Sequence, residues 1–216
     1  MHDCVENLTI VRSKISKLVK EKQLKTNPEI IAVTKTFSLD KVLPLIEIGH
    51  LHFGENKVNE ALEKWSNIRN NHKNIKLHMI GALQSNKAKK AVQVFDYLHS
   101  LDSEKLASKI SKYEKEFSKK TKIFIQVNLA NESQKSGINL KEVNNFYNYC
   151  LKDLSLNVIG LMCLPPIESN STEYFKLLND ASKKINLKEL SMGMSGDFEN
   201  AFINGERLAT GMMGLG

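Results

Sequence analysis

The chain has 216 residues, 41% of them apolar and 25% charged, which is enough for one sizeable core and suits a single domain spanning 1–216. Its net charge of +7 comes from 31 basic residues, of which only Arg12, Arg69 and Arg207 are arginines. The densest basic run, Lys87-Ala88-Lys89-Lys90, has no aromatic residue within it, and this argues against a nucleic-acid groove. Cys4, Cys150 and Cys163 show no Cys-x-x-Cys spacing, and no uncharged stretch reaches membrane-spanning length. A cytoplasmic protein without disulfides, membrane spans or nucleic-acid partners is expected.

A lysine-rich amphipathic helix is predicted over about 5–23. From there, short apolar runs alternate with helical patterns, the signature of βα units. The strand candidates are 29–34, 51–53, 76–80, 95–99, 122–128, 156–162, 188–192 and, as the weakest pattern, 207–211. Helix candidates fall at 39–49, 56–69, 86–93, 103–118, 140–150, 171–185 and 197–204, with Ser38, Ser103 and Ser171 as caps. Eight strands predict an α/β fold of the TIM-type (β/α)8 barrel class with an extra N-terminal helix. The alternative, an open doubly wound sheet, lacks a Gly-x-Gly-x-x-Gly after the first strand.

In such a barrel the loops after the strands carry function. Lys35 closes the run Glu29-Ile30-Ile31-Ala32-Val33-Thr34-Lys35 and shares a strand face with Ile31 and Val33, so its amine is expected at the barrel mouth. An amine held against apolar walls is costly to keep charged, which favours the nucleophilic form that condenses with aldehydes. A lysine in this position is more often simply solvated. After the seventh strand candidate, Leu190-Ser191-Met192-Gly193-Met194-Ser195-Gly196-Asp197 combines glycines with the start of a helix, a place that suits a phosphate or else an ordinary turn.

Ala32-Val33-Thr34-Lys35, Phe53-Gly54-Glu55-Asn56, His78-Met79-Ile80-Gly81-x-Leu83-Gln84-Ser85-Asn86-Lys87 and Leu190-Ser191-Met192-Gly193-Met194-Ser195 occur in order. With Gln126-Val127-Asn128, the spaced Glu132, Lys135 and Gly137, and Gly160-Leu161-Met162, the chain resembles the pyridoxal phosphate homeostasis protein family over about 28–205. The resemblance implies a fold-type III barrel, like the N-terminal domain of alanine racemase, holding pyridoxal 5′-phosphate (PLP) as an internal aldimine on the lysine that matches Lys35. It also implies that Asn56 lies near the cofactor ring, that Gly193, Met194 and Ser195 take the phosphate, and that Thr210 and Gly211 contribute from the last strand. His78, Gln84, Ser85 and Asn86 would line the same mouth, with packing an equal alternative for His78. Lys135 would be a second amine or a solvated loop lysine.

The C-terminus departs from the resembled pattern, Val-Arg-Ile-Gly followed by Ile-Phe-Gly. Aligning Gly211 with the first of those glycines puts Ala209 where arginine is expected, with Arg207 a substitute only after a shift of two. This places the eighth strand and part of the cofactor grip in question, and Gly196 replaces a commonly acidic residue. His50 and His52 alternate on one strand face without a carboxylate or cysteine ligand set, so no metal site is expected.

Three functions are weighed. The first is a PLP-binding protein, expected as a monomer, that maintains vitamin B6 and amino- and keto-acid pools without robust catalysis and has PLP-dependent apo-enzymes as candidate recipients. The second is a PLP-dependent amino-acid racemase, which needs a proton donor on each face of the substrate. Tyr97, Tyr113, Tyr147, Tyr149 and Tyr174 fall away from the recognised loop motifs, which disfavours that reading. The third, an RNA-associated barrel, has no motif behind it.

Overall fold

A computed structural model of the chain describes residues 3–23, 28–130, 136–166, 169–204 and, for the backbone, 209–214. The strands are β1 (Ile30–Val33), β2 (His52–Glu55), β3 (Lys76–Met79), β4 (Tyr97–Leu101), β5 (Lys122–Asn128), β6 (Ile138–Asn139), β7 (Val158–Met162), β8 (Glu189–Ser191) and β9 (Ala209–Gly214). The helices are α1 (Asp3–Glu21), α2 (Leu39–Glu47), α3 (Val58–Asn71), α4 (Ala88–Val94), α5 (Glu104–Glu116), α6 (Val143–Asn148), α7 (Ser171–Lys184) and α8 (Phe198–Asn204).

All the strand pairings are parallel, in the order β1-β2-β3-β4-β5-β7-β8-β9, and β9 returns to β1. The sheet is therefore a closed eight-stranded barrel. β6 is a two-residue addition beside β5, too short to leave a signal in the sequence. The strand expected over 207–211 is found at Ala209–Gly214, in register with both neighbours: Thr210 opposite Ser191 and Gly214 opposite Val33. The altered C-terminal sequence thus still completes the barrel.

Two predicted caps need correction. Ser38 sits at the N-cap of α2 but makes no side-chain cap hydrogen bond, and α7 is capped by Asn170, whose Oδ1 accepts from the Thr172 N–H, with Ser171 already helical. Ser103 does cap α5. In α1, Leu8, Val11 and Ile15 form the buried stripe on a helix packed against α2 and α8. Asp3 and Glu6 in its first turn and Lys20 in its last suit the helix dipole.

The buried apolar residues form two clusters. The larger fills the layer between strands and helices, and the smaller, Val33, Ile80, Phe124 and Met162, is what alternate side chains pointing into the barrel produce. Below that plug the interior is polar. His52 Nδ1 is 2.9 Å from His78 Nε2, His78 Nδ1 is 2.9 Å from His99 Nε2, and His99 Nδ1 is 2.7 Å from the Ser191 hydroxyl. His78 stacks on Tyr97 with ring centroids 4.2 Å apart, and His99 stacks on Phe124 at 4.4 Å.

Burial pushes His99 down to about 3 and holds His78 well below its ordinary value, with His99 and then His52 adding to that effect. His50 falls to about 4 through burial and then through the Arg12 guanidinium. Each is neutral in the folded protein near pH 7, whereas an unfolded histidine takes up a proton near 6.5. The stabilisation from a neutral interior is fully present above that value and is lost as pH falls toward the folded pKa. Denaturant titrations should therefore show stability steady above pH 7 and declining below about 6.5, by about 1.4 kcal/mol per pH unit for each such histidine. His99→Gln should shallow that acid slope by one proton's contribution.

Candidate functional site at the carboxyl ends of the strands

Lys35 lies two residues past the end of β1, and its backbone is fixed from both sides. Thr34 is fully buried, its N–H donates to the Gly54 carbonyl at 2.9 Å, and its hydroxyl donates to Glu55 Oε1 at 2.6 Å. On the other side Thr36 takes a positive φ of 66° and its N–H donates to Glu60 Oε1 at 2.6 Å. That left-handed residue turns the chain out of the barrel immediately after Lys35, a conformation a β-branched residue keeps only when its surroundings impose it.

The anchor of this arrangement is Glu55, at the end of β2 and fully buried. Its Oε1 accepts from the Thr34 hydroxyl, from Lys64 Nζ at 2.8 Å and from Trp65 Nε1 at 3.0 Å. Lys64, from α3, also donates to the Thr34 carbonyl at 2.7 Å. A buried carboxylate needs this many donors to offset its lost hydration. The pattern around Lys35 drew attention to Glu55 only as part of a motif, while Lys64 and Trp65 carried no signal, because the partnership exists only once α3 folds over β2.

Lys35 borders a cavity of about 660 Å³ whose other walls include Val33, Asn56, Ile80, Gln126, Cys163 and Met194. The loops after β1, β2, β3, β5, β7 and β8 all contribute. The expectation of an amine enclosed by apolar walls is not met: the Lys35 side chain is exposed at the edge of the cavity, two residues beyond the end of β1. Gly81 lets the loop after β3 close on the site, since a Cβ there would lie 2.5 Å from the Asn56 carbonyl oxygen. Cys163 is kept a neutral thiol by burial and then by the charge of Asp197, so it does not compete as a nucleophile.

The turn after β8 is built around Gly193, with φ of +85° and no room for a Cβ, which would meet the Ala201 Cβ at 2.8 Å. The Met194 N–H donates to Asp197 Oδ1 at 2.6 Å, so an anion reaches that N–H only by displacing the carboxylate. Met194 lines the cavity together with Lys35 and Asn56. Gly193 lies behind it, and Ser195 is exposed. Thr210 is paired with Ser191 and Gly211 with Ile30, toward the starting end of β1.

Other expected members are placed elsewhere. His78 does not reach this mouth; it belongs to the interior histidine chain and borders a cavity at the opposite end, because β3 runs on past it to Met79 before its loop begins. Gln84 lines a smaller neighbouring cavity that shares Asn56, and Ser85 and Asn86 form a 3-10 turn. Tyr174, expected to lie apart from the site, lines the Lys35 cavity from α7. Glu132, Lys135 and Arg207 lie outside the described residues.

A closed parallel barrel with a lysine after its first strand and a glycine turn after the strand before last defines a class of protein, and residues 7–214 match the alanine racemase N-terminal domain family, to which this chain belongs. The pyridoxal phosphate homeostasis protein of Buchnera aphidicola is 32% identical over 206 residues, covering 91% of this chain and 90% of that protein. PipY of Synechococcus elongatus, solved without PLP, is 30% identical with a TM-score of 0.78 over 93% of this chain and 97% of PipY. The same protein solved with PLP bound is 27% identical with a TM-score of 0.77 and equal coverage.

Replacing Lys64 by methionine should destabilise the chain by about 3–5 kcal/mol, because it leaves the buried Glu55 charge without its cation. Adding Glu55→Gln to that variant should recover part of the loss. Chemical denaturation of the two single variants and the double variant measures both.

Proposed function

We propose that the chain binds pyridoxal 5′-phosphate at the Lys35 mouth and serves vitamin B6 and amino- and keto-acid homeostasis, holding the cofactor rather than turning substrates over. The observation behind this reading is that Lys35, Asn56 and Met194 converge on one cavity of about 660 Å³, a size suited to a ring bearing a phosphate. When bound, the cofactor supplies an aldehyde that condenses with amines and a ring that withdraws electrons. Lys35 offers the amine, and the hydrogen bonds at Thr34 and Thr36 hold the backbone on either side of it. Asn56 borders the ring, and the Gly193–Ser195 turn holds the phosphate end, while Gly211, opposite Ile30, lies below this mouth.

Val33 and Ile80 form the apolar floor that keeps water from the barrel side. In this reading the protein is a cytoplasmic monomer and apo-enzymes that need the cofactor are its recipients. Among the described residues no helix is long and apolar enough to cross a membrane.

A racemase reading is favoured by one observation, the presence of Tyr174 on the Lys35 cavity. A hydroxyl there and the Lys35 amine would give two proton-bearing groups at one site. Its weight is limited by the half-exposed position of Tyr174.

Purified protein mixed with PLP should develop a visible absorbance band that Lys35→Ala abolishes. Borohydride treatment should fix the cofactor mass on the peptide containing Lys35. A band unchanged in Lys35→Ala would remove the cofactor reading. Incubation with single enantiomers of amino acids tests the alternative: sustained enantiomer exchange that Tyr174→Phe reduces by about 10²-fold or more would put the enzyme first.

A further inference from the structure

The barrel has a second mouth, at the amino ends of the strands. A cavity of about 640 Å³ opens there, bordered by the first residues of six strands: His52, Lys76, Tyr97, Lys122, Val158 and Glu189. Its apolar surface is aromatic in part, with Phe124 and Tyr147 beside Tyr97. Its cations stand at the rim. Lys122 Nζ donates to the Tyr97 hydroxyl at 3.0 Å and lies over that ring at 5.0 Å. Among the described residues neither Lys76 nor Lys122 is within 4.0 Å of a carboxylate. Burial first, and then the positive charges of Lys76 and Lys122, oppose protonation of His52, against the pull of Glu29, whose Oε2 lies 3.5 Å from His52 Nε2.

We infer that this cavity is a binding site for a small aromatic anion, a ring carrying one carboxylate or phosphate group, and that the histidine chain passes its occupancy to Ser191. The ring fits among Tyr97, Phe124 and Tyr147, and the anionic group meets Lys76, Lys122 and the outward nitrogen of His52. The passage inward follows from hydrogen-bond accounting. A neutral imidazole donates with one nitrogen and accepts with the other. An anion at His52 Nε2 requires an N–H there, so His52 Nδ1 accepts from His78 Nε2–H. His78 Nδ1 then accepts from His99 Nε2–H, and His99 Nδ1 accepts from the Ser191 hydroxyl. Glu29 Oε2, 3.5 Å from the same nitrogen, favours this order in the empty site, and a bound anion in direct contact holds it more firmly.

Ser191 is the last residue of β8, two positions before Gly193, and its carbonyl accepts from the Cys163 N–H at 3.2 Å. Cys163 borders the Lys35 cavity. The chain thus joins the two mouths through the barrel interior. The inference needs no cofactor and stands apart from the proposed function.

The test is nitrogen-15 NMR of the histidine rings, with benzoate and phenyl phosphate as probes and benzyl alcohol as the neutral control. Either anion should shift the His52 resonances saturably, and the stronger of the two identifies the preferred head group. Lys76→Gln with Lys122→Gln should weaken that binding at least about tenfold, the effect of losing charge-assisted hydrogen bonds. Glu29→Gln should tighten it, since a like charge is removed, and a tightening is not what damage to the fold produces. No saturable shift, an equal response to benzyl alcohol, or unchanged affinity in the lysine variant would refute the site. In Glu29→Gln, where no carboxylate sets the order, adding the anion should raise the Nε2–H form of His99, and an unchanged tautomer population would refute the transmission.

Discussion

Closure of the barrel depends on the pairing of β9 with β1, which joins the last described strand to the first. Residues Ile30 to Val33 are buried on both faces because they have partners on both sides, β2 and β9, and helices outside. A strand with no face to water is apolar throughout, as β1 is with Ile30-Ile31-Ala32-Val33. Once the ladder closes, none of the eight barrel strands is an edge, and their ends converge on two openings. Both cavities at the barrel ends are products of that convergence.

Within this frame the polar interior is what gives the openings their character. Glu55 holds the segment around Lys35 by accepting from a β1 threonine and from two α3 residues. The three interior histidines occupy positions where apolar side chains would pack as well. They are tolerated because each hydrogen-bonds to the next and the series ends on the Ser191 hydroxyl. A buried polar group in such a series is satisfied only while its neighbours are in place, so the series is cooperative. Stacking of His78 on Tyr97 and His99 on Phe124 lets the rings fill the lumen while their edges hydrogen-bond along it.

The two mouths differ in how they are assembled. The Lys35 mouth is made from loops, which admit the glycines at Gly81 and Gly193, the positive φ at Thr36 and side chains from α7. The opposite mouth takes much of its lining from the first residues of strands, held at fixed spacing by the ladder. Loops can be reshaped without altering the barrel, and this is the physical reason that the face after the strands carries function in such folds. Strand starts are rigid and offer a preorganised set of lysines, imidazoles and rings.

Much of this was legible in the sequence. Alternation of apolar runs and helical periods located the eight barrel strands within a few residues, and β5 was bounded correctly because its run Lys122–Asn128 is long and apolar at its centre. The Lys35 position at a strand end and the glycine turn at Gly193 could be read from local pattern, since both depend on neighbours in the chain. What could not be read were contacts between distant segments. Nothing near Lys64 or Trp65 announced that they converge on Glu55, and Tyr174 reaches the Lys35 cavity only because α7 packs beside the loop after β7. His52, His78 and His99 look unrelated in a linear reading. The sequence by itself determined the barrel and the lysine at its mouth, because local periodicity and strand ends are written in adjacent residues; the tertiary structure decided the carboxylate that anchors that lysine's backbone, the lumen's histidine chain and the second mouth, because those depend on which strands become neighbours when the sheet closes.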